Sequence, residues 1–150
     1  MPSNTAAVTM RRVFEIGVYV LAAAVAVQFF LAGLGIFGSA ELLFWHATVD
    51  ALVIFVLAIA LVVVGLIAKE DRWTVGLPAI IIGMVLLQSI LLAPYHMGAP
   101  LAVRWISALH VVNGVAIFAV TLRLVDRVRL AKLLPIHGEV APKAPEGQAP

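Results

Sequence analysis

Two histidines in this sequence lie in apolar segments and have polar residues beside them at helical spacing. His110 is followed by Asn113 and Gly114, three and four residues later, so the three share one face of any helix that contains them. His46 is followed in the same way by Asp50, four residues later. Ionisable side chains are costly in hydrocarbon and indicate a functional site there, and imidazole is a common metal ligand. The two segments therefore predict that one ligand is held between two helices.

The composition is that of an integral membrane protein. Of the 150 residues, 63% are hydrophobic and 12% are charged, whereas a soluble domain is about half apolar and a quarter charged. The sequence contains no cysteine, which excludes disulfides, thiolate metal sites and thiol redox chemistry. The net charge of +2 comes from basic residues that mostly flank apolar runs, a pattern that predicts membrane topology and no nucleic-acid partner.

Four apolar runs, each long enough to cross a bilayer, follow one another along the chain. Because the connections are short, we predict an all-α polytopic membrane protein, a four-helix up-down-up-down transmembrane bundle in contact with membrane lipid. We expect a cytoplasmic segment at 1–12, a transmembrane domain at 13–125, and a cytoplasmic extension with a disordered tail at 126–150. The predicted spans are 13–37, 42–68, 75–93 and 101–124.

The basic residues predict how the bundle is oriented. All of the lysines and arginines except Arg104 fall on one side of the four-span path. By the positive-inside rule, both termini are cytoplasmic, and we predict a location in the bacterial cytoplasmic (inner) membrane. His46 and His110 then lie roughly 6 Å and 10 Å inside the outer ends of their helices. Both histidines are thus expected in the outer half of the bilayer.

A weak internal repeat relates the two halves of the chain. Gln28 and Gln88 lie at similar depth in the first and third spans, and each precedes a span that carries a histidine. The segments that begin at Asp50 and Asn113, Asp-Ala-Leu-Val-Ile-Phe and Asn-Gly-Val-Ala-Ile-Phe, align with an offset of one residue. The second and fourth spans are diagonal in the predicted bundle, roughly 12–14 Å apart. That gap suits a planar macrocycle whose iron is ligated by one imidazole from each side.

From this geometry we predict one haem b in the outer half of the bilayer, with His46 and His110 as its ligands. Asp50 or Asn113 is expected to orient an imidazole, small residues leave space for the ring, and rim cations pair with its propionates. The cofactor-binding residues predicted are His46, His110, Gln28, Gln88, Asp50, Asn113, Gly33, Gly114 and Arg104, with His96 beside Arg104 at the rim.

Simpler interpretations of the same residues stay open. Histidine, asparagine and glutamine also form hydrogen bonds between membrane helices without binding a ligand. Asp50 handles protons in one interpretation and pairs with His110 in another. A quinone is an alternative ligand. The alternative functions are a structural or assembly subunit of a membrane complex, and a small-ligand-binding protein or transporter with a cavity near Asp50, Gln28 and Gln88.

Several segments carry a resemblance to known proteins: Tyr19-Val-Leu-Ala-Ala-Ala, Gln28-Phe-Phe-Leu-Ala-Gly-Leu-Gly, Trp45-His46 and Leu109-His-Val-Val-Asn-Gly114. Over roughly 13–125, the chain resembles small four-helix bacterial membrane proteins of unknown function, a family that implies no activity. More distantly, its histidine-bearing helix pairs look like those of membrane b-type cytochromes, including the halves of haem A synthase and the cytochrome b561 type. That resemblance implies a haem held by His46 and His110. The inner halves of the second and fourth spans contain no further histidine, so at most one haem fits.

These observations predict a single-haem electron carrier or accessory subunit rather than a stand-alone enzyme. A haem near one surface leaves most of the ~30 Å hydrocarbon core uncrossed, so this chain alone is not expected to carry electrons across the membrane. We expect it to exchange electrons with a quinone, or with a respiratory or redox partner protein, and homo-oligomers are also compatible with the sequence. The sequence contains no carboxylate pair, phosphate loop or His-Glu-x-x-His motif of a hydrolase or transferase.

Overall fold

The computed structural model describes residues 4–39 and 41–133, which form four long helices and contain no strand. Each helix is long and apolar enough to cross a membrane. The predicted all-α, four-helix multi-pass membrane fold is confirmed. The tail predicted to be disordered, including His137, lies outside the described residues. The helices are α1, Asn4–Phe37; α2, Leu42–Ile67; α3, Arg72–His96; and α4, Leu101–Leu133.

The four helices pack in chain order around a square. Within the described residues, α1 packs against α2, α2 against α3, α3 against α4, and α4 against α1, whereas α1 and α3, like α2 and α4, make no close backbone approach. Short connections between antiparallel neighbours produce this order. The two helices that carry the histidines are therefore diagonal to each other.

The core is a narrow column along the bundle axis, and the outer surface is apolar. Phe14, Leu21 and Ile81 are fully buried in that column, whereas Phe30 and Ile90, on outward faces, are 64% and 66% exposed. A soluble protein rarely exposes an apolar surface of this extent. The outward faces therefore contact membrane lipid.

The buried positions repeat between the two halves of the chain. Every buried position of α1 from Val18 to Gln28 recurs in α3 at an offset of 60 residues, and those of α2 from Ile54 onward recur in α4 at an offset of 63. Because α1 and α3 are diagonal, as are α2 and α4, the two hairpins are related by a pseudo-two-fold axis along the bundle. The pairs are Val18/Pro78, Leu21/Ile81, Val25/Val85 and Gln28/Gln88, then Ile54/Ile117, Ala58/Thr121, Leu61/Leu124 and Gly65/Val128.

A π-helical segment in α2 accounts for the one-residue offset in the repeat. The segment Val49–Ile54 is π-helical, with α-helix before and after it. From His46 to Phe55 the chain has one more residue than from His110 to Phe118. Hydrogen bonds from i to i+5 take in one additional residue per turn. The core-facing positions of the two hairpins consequently stay equivalent in spite of the extra residue.

The fourth helix also departs from α geometry next to its histidine. The segment Trp105–Ala108 is a 3₁₀ turn between the short α-helical stretch Leu101–Arg104 and the long one from Leu109 onward. π and 3₁₀ segments inside longer helices often mark functional sites. Each histidine thus adjoins an irregular segment of its helix.

Ion pairs between different elements close the end of the bundle at which α1 and α3 begin. Glu70, in the turn between α2 and α3, accepts from Arg11 at 3.1 Å, and Arg127 of α4 donates to Asp71 at 2.9 Å. Lys132 of α4 pairs with Glu15 of α1. We call this end the basic end, and the opposite end, which holds His46 and His110, the histidine end.

Asp71 caps the N-terminus of α3 at the basic end. Its carboxylate accepts hydrogen bonds from the backbone N–H groups of Trp73 at 2.9 Å and Thr74 at 3.2 Å, from the Thr74 hydroxyl, and from Arg127. Burial acts against the charged form, but these hydrogen bonds, led by those of Thr74 and Arg127, outweigh it. They lower the pKa of Asp71 to about 2.

We expect Asp71→Ala to lower the free energy of unfolding by about 1–2 kcal/mol, the usual cost of losing an N-cap. Because the folded-state pKa lies below the ordinary value of 3.8, the contribution of the charge is complete above about pH 4 and is lost as the pH falls through 2. Thermal unfolding of the purified protein between pH 7 and pH 2 measures both effects. Asp71→Asn is the control: it keeps the cap, and its loss of stability over this pH interval is expected to be smaller.

Lys69, which ends α2, adopts a left-handed conformation with φ of +59°. The turn satisfies the last carbonyls of the helix, since the Glu70 N–H donates to the Gly65 carbonyl at 3.0 Å. A side chain in this conformation costs about 1 kcal/mol relative to glycine. We expect Lys69→Gly to raise the free energy of unfolding by about that amount in thermal or denaturant unfolding. Lys69→Ala, which keeps a Cβ, is expected to give no such gain, and an equal gain would contradict the explanation.

Candidate functional site

A cavity of about 350 Å³ lies on the bundle axis at the histidine end. All four helices line it, and most of the lining is apolar, with Ile54 and Ile117 at its deep end and Tyr95 nearer its mouth. Its volume lies within the range of small-molecule sites, which are mostly apolar with a few polar groups. The polar side chains that line it are Gln28, His46, Asp50, Gln88, His96 and His110.

The two predicted ligand histidines face each other across this cavity. The centroids of the His46 and His110 rings are 6.1 Å apart, and the ring planes are inclined by 69°. Their helices are diagonal and do not approach closely within the described residues, so the rings themselves span the centre of the bundle. This brings together, on either side of the pseudo-two-fold axis, two residues that are 64 positions apart in sequence.

His46 is held by the neighbouring helix α1. Its Nδ1 donates to the backbone carbonyl of Gln28 at 3.0 Å; a carbonyl has a second lone pair, so Gln28 can accept this bond in addition to its helical one. The proton is thereby placed on Nδ1 of the neutral ring, and Nε2 keeps a free lone pair. Metal-ligating histidines are commonly fixed by such a bond on the opposite nitrogen.

His110 is positioned by a chain of amide groups. Asn113 donates from Nδ2 to the Met84 carbonyl at 2.9 Å and to Gln88 Oε1. Since its oxygen is engaged there, Gln88 presents its NH₂ group to the His110 ring, with 3.5 Å between the two Nε2 atoms. Nε2 of His110 must then be an acceptor, and the proton lies on Nδ1. Both histidines therefore have Nε2 unprotonated.

The His110 Nδ1 atom has no hydrogen-bond partner within the described residues, although it is buried. In the repeat, the Gln28 carbonyl that accepts from His46 Nδ1 corresponds to the backbone carbonyl of Gln88. The Gln88 carbonyl lies near the His110 ring but outside hydrogen-bond geometry with Nδ1. A buried N–H without an acceptor is costly. The His110 side of the cavity thus contains a donor that a ligand oxygen, or a small rotation of the ring, would satisfy.

The repeat also places Asp50 and Asn113 at equivalent positions, and their chemistry differs. Asn113 supplies the N–H groups that hold Gln88. Asp50 lines the cavity, and Gln28 Oε1, which is buried, has no donor within the described residues. An ionised carboxylate has no proton to donate. The hydrogen-bond network on the Asn113 side therefore has no counterpart on the Asp50 side.

The structure brings most, but not all, of the predicted residues to the cavity. Gly114 lines it, and a Cβ there would lie 3.6 Å from Gln88 Nε2, an ordinary contact. Asn113 does not line the cavity; it donates to Gln88, which does. Gly33 is not part of the lining, and a Cβ at Gly33 would meet no atom within 4 Å, so ligand space does not require glycine there. Arg104 is exposed and donates from Nε to the Ala99 carbonyl at 2.7 Å, away from the cavity.

The irregular segments beside the histidines are not predicted by the sequence pattern. The one available signal was the one-residue offset between the segments that begin at Asp50 and Asn113, which the π-helical turn explains. From the sequence, His96 is predicted only at the rim of the site, beside Arg104. His96 lines the cavity together with Tyr95, and Arg104 does not.

His46 and His110 offer two imidazoles to the cavity as possible metal ligands. Within residues 4–39 and 41–133, no group of three or more histidine, aspartate or glutamate side chains could hold a metal ion. A bare divalent ion such as zinc takes four ligands in most structural sites. The two histidines alone do not make up the four ligands that such an ion takes.

Comparison with known proteins yields one family match. Residues 28–94 match the model of a family of unknown function, DUF6220. The matched segment is just under half of the chain and includes Gln28, His46, Asp50 and Gln88, but not α4 with His110. No curated protein and no solved structure matches the chain. The likeness to a family of unknown function thus has support, whereas the likeness to b-type cytochromes gains none from these comparisons.

Proposed function

We propose that the protein is a single-haem b-type membrane cytochrome that acts as an electron carrier or as the accessory subunit of a redox complex. The observation that carries this proposal is the His46–His110 pair, with ring centroids 6.1 Å apart in a mostly apolar cavity, Nε2 free on His46, and Nε2 of His110 unprotonated and in contact with Gln88. Haem iron accepts imidazole as an axial ligand.

The centroid spacing of the two rings supports a metal shared between them. Metal–imidazole bonds are about 2.0–2.1 Å long, so two rings on opposite sides of one ion have centroids roughly 6 Å apart. A haem would require only these two protein ligands, because the macrocycle supplies the rest. When bound, it would supply one-electron chemistry, with a potential set by its ligands, their hydrogen bonds and its burial.

The chain's own groups orient the ligands and exclude water. Gln88, held by Asn113, contacts Nε2 of His110 and would have to turn away from that nitrogen for iron to bind it. The Gln28 carbonyl accepts from Nδ1 of His46 and fixes that ring from α1. Hydrogen bonds of this kind on ligating histidines set ring orientation and ligand basicity. The apolar walls lower the local polarity, which shifts the reduction potential of a buried cofactor.

We place the protein in the bacterial inner membrane, with the basic end in the cytoplasm. Lysine and arginine are enriched on the cytoplasmic side of membrane proteins, and the ion pairs at the basic end bring these residues together. The cavity then lies near the outer surface. Its electron partner is consequently a periplasmic protein, or a quinone in the outer leaflet.

The test is haem reconstitution of the purified full-length protein. We expect a Soret band whose amplitude saturates at one haem per chain, and a reduced-minus-oxidised spectrum of a six-coordinate, bis-histidine b-type centre. A protein that stays colourless with haem in excess, yet shows the helical circular dichroism of the folded bundle, would refute the proposal.

A second candidate ligand, a quinone, is favoured by the buried His110 Nδ1 that lacks an acceptor. A quinone carbonyl would accept from this N–H, and the lipid-facing apolar walls suit an isoprenoid chain. Extraction and chromatography of the lipids that co-purify with the protein separate the two candidates. A colourless protein with one quinone per chain would support this one, and a colourless protein without quinone would exclude both.

A further inference from the structure

A second, larger cavity of about 900 Å³ lies at the basic end, between the beginning of α1, the turn from α2 to α3 and the end of α4. Its lining is amphiphilic. Val8, Phe14 and Leu130 form apolar walls on α1 and α4, and charged side chains from all three regions complete it. At the end of a transmembrane bundle, such a lining lies where the hydrocarbon meets the aqueous phase.

The charges in this cavity do not cancel. Each of the three carboxylates in the lining is already paired with a cation, in the pairs Glu15–Lys132, Glu70–Arg11 and Asp71–Arg127. Two further lining cations, Arg12 and Lys69, form no ion pair within residues 4–39 and 41–133. The cavity therefore has an excess of two positive charges that the described chain leaves uncompensated.

Lys69 lies in the lining although glycine would suit its backbone conformation better, with φ of +59°. Its ammonium and the Arg12 guanidinium come from different elements, the α2–α3 turn and α1. An arginine offers paired donors to phosphate oxygens, and a lysine offers a point charge. Both side chains line the same cavity, and each is of a type that binds phosphate.

We propose that this cavity binds the phosphodiester headgroup of an anionic membrane lipid, with Arg12 and Lys69 as its charged contacts. A lipid is favoured over a soluble anion because the same cavity has apolar walls, Val8 and Leu130 among them, against which an acyl chain packs. Basic pockets between transmembrane helices are recurrent sites for such headgroups. This site is separate from the histidine cavity and does not depend on haem.

The test is native mass spectrometry of the full-length protein in detergent, titrated with phosphatidylglycerol. Each cation near an anionic lipid contributes about fivefold to binding, so the double variant Arg12→Gln/Lys69→Gln is expected to bind roughly 25-fold more weakly. The matched control is Arg123→Gln/Arg129→Gln, which removes two exposed cations of the same end that do not line the cavity. Its affinity is expected to stay within about twofold of the unchanged protein.

Two ligand comparisons complete the experiment. Phosphatidylcholine, which has the same phosphodiester but no net charge, is expected to bind far more weakly than phosphatidylglycerol, and inorganic phosphate at the same concentration is not expected to displace the lipid. Equal binding of the two lipids, equal losses in both double variants, or displacement by phosphate would overturn the proposal. Lys69→Gly, expected to be more stable than the unchanged protein, should still lose about fivefold in affinity, so misfolding would not account for the loss.

Discussion

Replacing either His46 or His110 with alanine is expected to lower the affinity for haem by more than 100-fold and to abolish the spectrum of a six-coordinate centre. Changes to groups that only support a metal ligand typically cost about 10- to 100-fold in metal affinity, so loss of a ligand itself should cost more. The two ring centroids are 6.1 Å apart, on either side of the pseudo-two-fold axis. Neither is expected to be replaceable by another side chain of the cavity.

His96→Ala is the matched control for this prediction. His96 also lines the cavity but is exposed at the end of α3, so its loss is expected to leave the spectrum and the haem stoichiometry unchanged. Haem titration followed by absorbance, with circular dichroism to verify folding, measures all three variants. If His96→Ala behaved like the other two, haem binding would have to be assigned to a different set of residues, and the bis-histidine assignment would be wrong.

Asn113→Asp is expected to lower the free energy of unfolding by about 3–5 kcal/mol, the usual cost of a buried charge without a partner. Asn113 is buried and its Nδ2 group supplies both the Met84 carbonyl and Gln88 Oε1. An aspartate is isosteric but, when ionised, faces both acceptors without a donor; when protonated, it supplies one donor in place of two. Unfolding in detergent, followed by circular dichroism, measures the loss.

The reverse exchange at the equivalent position of the other hairpin, Asp50→Asn, is expected to raise the free energy of unfolding. By the repeat, Asp50 corresponds to the Asn113 that holds Gln88, so Asp50→Asn is expected to offer an amide donor to Gln28 Oε1, which is buried and without a partner in the described part of the chain. We expect the free energy of unfolding to rise by about 1 kcal/mol, the typical net value of one hydrogen bond. Should Asp50→Asn destabilise the protein as strongly as Asn113→Asp, the equivalence of the two positions would be refuted.

The sequence was sufficient to predict the fold, because a membrane allows few solutions. Backbone groups in hydrocarbon must be satisfied within the segment, so apolar runs of this length are helices, and short connections make sequential helices neighbours. The diagonal placement of the helices that carry His46 and His110 follows from these two facts. The pairing of Gln28 with Gln88 was likewise visible as a weak repeat, because both helices bury the same face.

The details of the site depend on features that local sequence does not encode. Nothing in the residues Val49–Ile54 distinguishes a π-helix from an α-helix, since the difference is set by packing against the other helices. Arg104 was predicted at the cavity from its charge alone, and its guanidinium instead donates to a nearby carbonyl in the loop before it. Which nitrogen of His110 faces Gln88 depends on Asn113, and that contact exists only after the helices have packed.

The pseudo-two-fold repeat of buried positions has a consequence for how such a protein can be built. The α1–α2 and α3–α4 hairpins bury equivalent faces, so two identical copies of one hairpin could pack against each other as the two hairpins do here. We expect that a gene encoding only the α3–α4 hairpin, which contains Asn113, Gln88 and His110 together with the contacts among them, would yield a self-associating miniature in which the paired imidazoles become identical by symmetry.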